Sequence, residues 1–152
     1  MQCQKELMAF DRSHSAGYLI NHLARIFEQA LAGRIRPLGL VPGQFPVLLA
    51  LWERDGLTQR DLVERLDVEQ PTMANTLARM ERDGLIVRSP HPDDGRARIV
   101  RLTPRARSLE GPATAAAHQV NEVLLAGLPE PAQQAFIAAM RTLVVTAARG
   151  DR

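Results

Sequence analysis

The chain has 152 residues, 45% of them hydrophobic and 24% charged, which is enough for one compact core, little for two, and excludes a disordered chain. Its single cysteine, Cys3, excludes an internal disulfide framework, and its four histidines are scattered without any metal-ligand spacing, so no metal or other cofactor is expected. The net charge is only +2, with Lys5 the sole lysine. There is no export signal and no run of roughly 18 apolar residues, so a cytoplasmic protein without a membrane partner is expected.

From Ser15 to Arg36, Leu19, Leu23, Ile26, Ala30 and Leu31 recur every three or four residues, the period of an amphipathic helix. "RPLGLVPG" ends it. "QFPVLLALWERDG" predicts a second, more apolar helix, in which Pro46 lacks a backbone donor and forces a bend or a late start. In "LTQRDLVERLDV", Thr58 and Asp61 have the spacing of a capping box, and the helix they open buries Leu62, Val63 and Leu66. "PTMANTLARMERDG" predicts a fourth helix with Met73, Leu77 and Met80 facing inward, Pro71 in its first turn and Gly84 as its stop. Two short helices joined so closely have the arrangement of a helix-turn-helix, whose second helix lies in the DNA major groove.

"LIVRS" and "ARIVRLT" then read as strands around the turn-rich "PHPDDGR". Helix, helix, hairpin is the order of a winged helix. Thr103 and Pro104 open a further helical stretch, in which Gly111 and Pro112 predict a kink or a break. "PEPAQQAFIAAMRTLVVTAARG" closes the chain with an apolar face of Phe136, Ile137, Met140, Leu143, Val144 and Ala147. The terminal helices hold more apolar surface than a small winged helix can cover, and pairing of two copies buries it most simply. The expected fold class is mainly α with a small β-hairpin wing: one domain over 1–152, a winged helix-turn-helix at 42–102 flanked by dimerisation helices at 15–36 and 103–149.

Charge is unevenly placed. From Arg79 to Arg107 there are eight arginines against four acids, and the acids end at Asp94. Such a stripe is either a solvated face or the contact surface for an anionic partner, most often nucleic acid. With Met73, Leu77 and Met80 inward, the fourth helix presents Gln70, Thr72, Asn75, Thr76 and Arg79. These types suit base edges, with amides on adenine, threonine on the thymine methyl and arginine on guanine or phosphate; an ordinary polar helix face is the plainer reading. Thr58 and Gln59 open the third helix, where unpaired backbone amides can meet phosphate. Thr58 can cap the helix as well.

The run "FPVLLALWERDGLTQRDLVERLDVEQPTMANTLARMERDGLIVRSPHPDDGRARIVRLTPRA" resembles the MarR family of transcriptional regulators, and the likeness extends from about Tyr18 to Ala148. Its most specific parts are "LARMERDGLIVR" and "DDGRARIVRLT". The resemblance implies a homodimer in which the first, fifth and sixth helices of both copies interlock, each copy presenting its winged helix to a pseudo-palindromic operator in double-stranded DNA with half-sites about 10 bp apart. It further implies a regulator, typically a repressor released by a small, often aromatic or phenolic, ligand or by an oxidant, and not an enzyme.

The family's Asp-x-Arg pattern falls on Asp94, Gly95 and Arg96. By resemblance Arg96 enters the minor groove, Asp94 holds its guanidinium through a charge-assisted bond, and Arg98 serves adjacent phosphates; a surface turn with an Asp to Arg pair is the competing reading. Arg88, Arg101 and Arg105 are expected to give general electrostatic support. Asn75 stands where the family often has a basic residue. An effector pocket between the dimerisation helices and the winged helix would draw on Tyr18, His22 and Trp52, with core packing the other explanation for Trp52. Two alternatives stand beside this reading: a winged-helix protein-interaction module without specific DNA binding, and a redox-sensing regulator using Cys3, although Cys3 lies well upstream of the first helix.

Overall fold

A computed structural model describes residues 10–150. Among them the elements run α1 (Ala16–Ile35), α2 (Phe45–Glu53), β1 (Leu57–Thr58), α3 (Gln59–Leu66), α4 (Gln70–Arg82), β2 (Ile86–Pro90), β3 (Arg98–Leu102), α5 (Pro104–Ser108), α6 (Glu110–Leu125) and α7 (Glu130–Gly150). β2 and β3 are an antiparallel hairpin with Ile86 opposite Leu102, and β1 pairs with the free edge of β3, Leu57 opposite Val100. The sequence reading contained the hairpin but not β1. Two residues are too few to show an alternating pattern, and β1 forms only because Leu57 is drawn into the core beside Val100.

Local chemistry sets the helix ends. The Ser15 hydroxyl accepts from the Tyr18 N–H at the start of α1. Pro46 is the second residue of α2, so that helix starts late, behind a single tight turn at Pro42–Gln44. At α3 the Thr58 hydroxyl accepts from the Asp61 N–H at 3.1 Å while the Asp61 carboxylate accepts from the Thr58 N–H at 2.8 Å, completing the capping box. α3 ends on Asp67, at φ 50°, a left-handed position that aspartate tolerates and that lets α4 begin after a short turn. The break foreseen near Gly111 falls at Leu109, between α5 and α6, which leaves Pro112 in the first turn of α6.

The core lies where α2, α3, α4 and the sheet meet: Leu48, Leu62, Met73, Leu77, Met80, Leu85 and Val100 are at most 1% exposed. Val63 and Leu66, expected inside, only flank it. By contrast, the first half of α1 and most of α7 expose apolar side chains, including Leu19 at 47%, Ile20 at 54%, Leu143 at 59% and Val144 at 69%. No single helix among the described residues is long and apolar enough to cross a membrane.

Asp55 fastens the hairpin to the body. One carboxylate oxygen accepts from the N–H groups of Gly56 and Leu102, each at 2.9 Å, and the other from the Arg107 guanidinium at 2.9 Å. Burial pushes the Asp55 pKa up, but the bonds from Arg107, Leu102 and Gly56 together outweigh it and hold the carboxyl below its usual range. A folded-state pKa below the unfolded one stabilises the fold above pH about 4, and that stabilisation is lost as pH falls through the folded value. Asp55→Asn is expected to cost about 2 kcal/mol at pH 7, with the two proteins converging as acid protonates the native carboxylate. Urea denaturation at both ends of that range checks it; a gap that stays constant into acid would show that Asp55 acts by shape alone.

Candidate nucleic-acid interface

α3 and α4, joined by the turn after Asp67, stand beside the hairpin. Because Met73, Leu77 and Met80 are buried, Thr72, Asn75, Thr76 and Arg79, spaced i, i+3, i+4 and i+7, share the outer face of α4. Thr72, Asn75 and Arg79 are exposed. Thr76 is half-buried and donates its hydroxyl proton to the Thr72 carbonyl at 2.9 Å, so its methyl is the more available part. Gln70 accepts from the Gln59 amide at 3.1 Å, which joins the starts of the two helices.

In the wing, the Ala97 N–H donates to the Asp94 carbonyl at 3.1 Å, the His91 N–H to the Ala97 carbonyl at 3.0 Å, and the Asp93 N–H to His91 Nδ1 at 3.0 Å. The Asp94 carboxylate accepts from the backbone N–H of Arg96 at 3.0 Å. This corrects the expected bond to the Arg96 guanidinium: at a separation of two residues an aspartate closes a turn onto the main chain, and the arginine side chain is left exposed.

A groove of about 540 Å³ separates the starts of α3 and α4 from the hairpin, lined by Thr58, Gln59, Arg60, Gln70, Arg88, His91, Asp94, Arg96 and Arg98. Thr58, Gln59, Gln70, Asp94, Arg96 and Arg98, singled out in the sequence, therefore meet in one place, and Thr72, Asn75, Thr76 and Arg79 continue along α4. His91 was missed. Its nearness to the helices depends on how the hairpin folds back, for which its own surroundings in sequence carry no signal.

The arginine stripe divides in two. Arg82 pairs with Asp83 at 3.1 Å, Arg88 with Glu81 at 2.6 Å and Arg107 with Asp55 at 2.9 Å, while Arg105 donates to the Asp83 carbonyl at 2.7 Å. The Arg88 guanidinium holds the Glu81 carboxyl below its usual range and ties β2 to the last turn of α4. Arg79, Arg96, Arg98 and Arg101 have no carboxylate partner among the described residues.

A second cavity, of about 530 Å³, opens between α1, α2 and α6. Tyr18, His22 and Trp52 do not line it within one chain. Tyr18 and His22 meet edge-on at 6.0 Å on the exposed part of α1, and the Trp52 indole donates to the Ala106 carbonyl at 3.0 Å with its ring edge-on to Phe45 at 6.1 Å. Trp52 thus packs the α2 to α5 junction. Phe27, Phe45 and His118 are the aromatic residues that do line the cavity. Among the described residues no three His, Cys, Asp or Glu side chains converge as metal ligands would, and Cys3 lies outside the described residues.

A helix pair with a polar outer face, followed by a small antiparallel sheet whose hairpin stands beside it, defines a winged helix-turn-helix protein. The MarR family model matches residues 40–97, and the transcriptional regulator HosA of Escherichia coli O111:H- is 30% identical over 125 residues, 82% of this chain and 93% of HosA. The chain belongs to the MarR family of transcriptional regulators. An HTH-type transcriptional repressor of Mycobacterium bovis is 28% identical over 120 residues, 79% of this chain and 86% of its own length. Among solved structures, the PcaV transcriptional regulator from Streptomyces coelicolor, in complex with its natural ligand, is 27% identical with a TM-score of 0.79, and the match covers 91% of this chain and 98% of PcaV.

Proposed function

We propose that the chain is a homodimeric, sequence-specific DNA-binding repressor that releases a pseudo-palindromic operator when a small aromatic or phenolic ligand binds. The observation that carries this reading is the groove in which Arg96 and Arg98 of the wing face the starts of α3 and α4. With Gln70, Thr72, Asn75, Thr76 and Arg79 laid along the major groove, the wing falls beside the adjacent minor groove, whose negative potential attracts Arg96. Thr58, Gln59 and Arg98 meet the flanking phosphates. Asp94 contributes indirectly, by fixing the backbone from which Arg96 projects.

The apolar surface of α1 and α7 supports dimerisation, since a second copy related by a two-fold axis would cover it and would match the symmetry of a palindrome. On this reading residues 42–102 bind DNA, and residues 15–36 and 103–149, through α1, α6 and α7, form the dimer. Repression is supported by the Mycobacterium bovis relative, named a repressor, and ligand binding by PcaV, solved in complex with its natural ligand, together with the cavity beside α2. Selection of bound sequences from a random duplex pool is expected to return a pseudo-palindrome with half-sites one helical turn apart, bound with steep salt dependence as phosphates release counterions. Recovery of no preferred sequence would instead favour a protein-interaction module.

A further inference from the structure

Among the described residues, the cavity between α1, α2 and α6 carries one carboxylate, Glu28, and no arginine or lysine. Its walls are apolar, with Phe27 and Leu31 from α1 and Phe45, Pro46 and Leu49 from α2. Polarity comes from Glu28, Thr114, His118 and Asn121. The Thr114 hydroxyl already donates to the Glu110 carbonyl at 2.7 Å. Glu28 has no cationic side chain within ion-pairing distance among the described residues.

An aromatic carboxylate entering this space would lose water beside a like charge, with no guanidinium or ammonium among the described residues of the same chain to receive it, and desolvating an unpaired charge opposes binding strongly. A cation reverses both effects. It is attracted by Glu28 and, over short range, by the faces of the phenylalanine rings.

We propose that this cavity selects a hydrophobic aromatic cation, a ring-bearing ammonium compound, with Glu28 as its counter-ion and Phe27 and Phe45 as its aromatic walls. The proposal rests on the ligand-release reading above and narrows the class of ligand. The same cavity touches the recognition helix through one wall. Gly43 and Phe45 line it, and Gln44 between them is 4% exposed, accepts from the Val41 N–H at 3.3 Å and donates to the Asp83 carboxylate at 2.8 Å. Asp83 is the C-cap of α4. A ligand wedged against this turn displaces Gln44, and the end of α4 moves with it.

The sole tryptophan, Trp52, stands edge-on to Phe45 and reports occupancy by its fluorescence. The full chain and its Glu28→Gln variant are titrated with three probes built on one ring: benzyltrimethylammonium, neutral benzyl alcohol and phenylacetate. The ammonium is expected to bind about tenfold more tightly than phenylacetate, and Glu28→Gln to erase about that factor while leaving benzyl alcohol unchanged, which also reports an intact cavity. Phenylacetate binding as tightly as the ammonium, an ammonium preference that survives Glu28→Gln, or no saturable response to the ammonium overturns the proposal. Operator binding by the unliganded protein is measured on the same preparation; its failure counts against the repressor reading and leaves the charge selectivity of the cavity to be scored separately.

Discussion

Replacing Arg96 by alanine is expected to weaken binding to the selected operator about thirtyfold, near 2 kcal/mol, and to leave thermal unfolding unchanged. The side chain is exposed and has no carboxylate partner among the described residues, so its removal bears mainly on the bound state. Loss of one cationic contact should also reduce the slope of log affinity against log salt by about one. Arg96→Lys separates charge from shape: it is expected to restore the salt slope but only part of the affinity, because the ammonium lacks the flat guanidinium fork. Fluorescence anisotropy with a labelled operator over a salt series measures both quantities. An affinity for Arg96→Ala equal to that of the unmodified protein at moderate salt would remove the wing from the interface.

Leu143→Asp is expected to convert the protein to a monomer and, with it, to abolish tight operator binding. Leu143 is more than half exposed on α7, beside the exposed Val144, in a helix that gives little of its apolar face to the rest of its own chain. In a two-fold interface each substitution counts twice. In the proposed dimer, losing a leucine from the interface on both sides would cost about 4 kcal/mol, a shift of the dimer dissociation constant of roughly a thousandfold, before the desolvation of two carboxylates is added. Analytical ultracentrifugation reads the mass and anisotropy the DNA affinity. A variant that stays dimeric would place the interface elsewhere. A monomer that binds the whole operator unchanged would separate dimerisation from recognition.

Most of the fold was legible because its signals are local. Thr58 and Asp61 announce α3 by their spacing, Pro71 and Gly84 bracket α4, and the period of Met73, Leu77 and Met80 orients its polar face before any tertiary contact is known. β1 was not legible, being two residues recruited by the edge of β3. Nor was the commitment of Trp52, whose hydrogen-bond partner lies in α5.

By itself, then, the sequence determined the order and ends of the helices, the inner and outer faces of α4 and the concentration of arginine around the hairpin, since each depends on side chains within a turn or two of one another. Tertiary structure alone decided which arginines stay available. Arg107 is taken by Asp55, 52 residues away, Arg105 by the Asp83 carbonyl, 22 away, and Arg88 by Glu81 across the step from helix to strand. It also turned Asp94 onto the main chain and left Glu28 beside an apolar cavity without a cationic partner among the described residues. Ion pairs and cavities depend on which distant segments are packed together, and neither propensity nor periodicity carries that information.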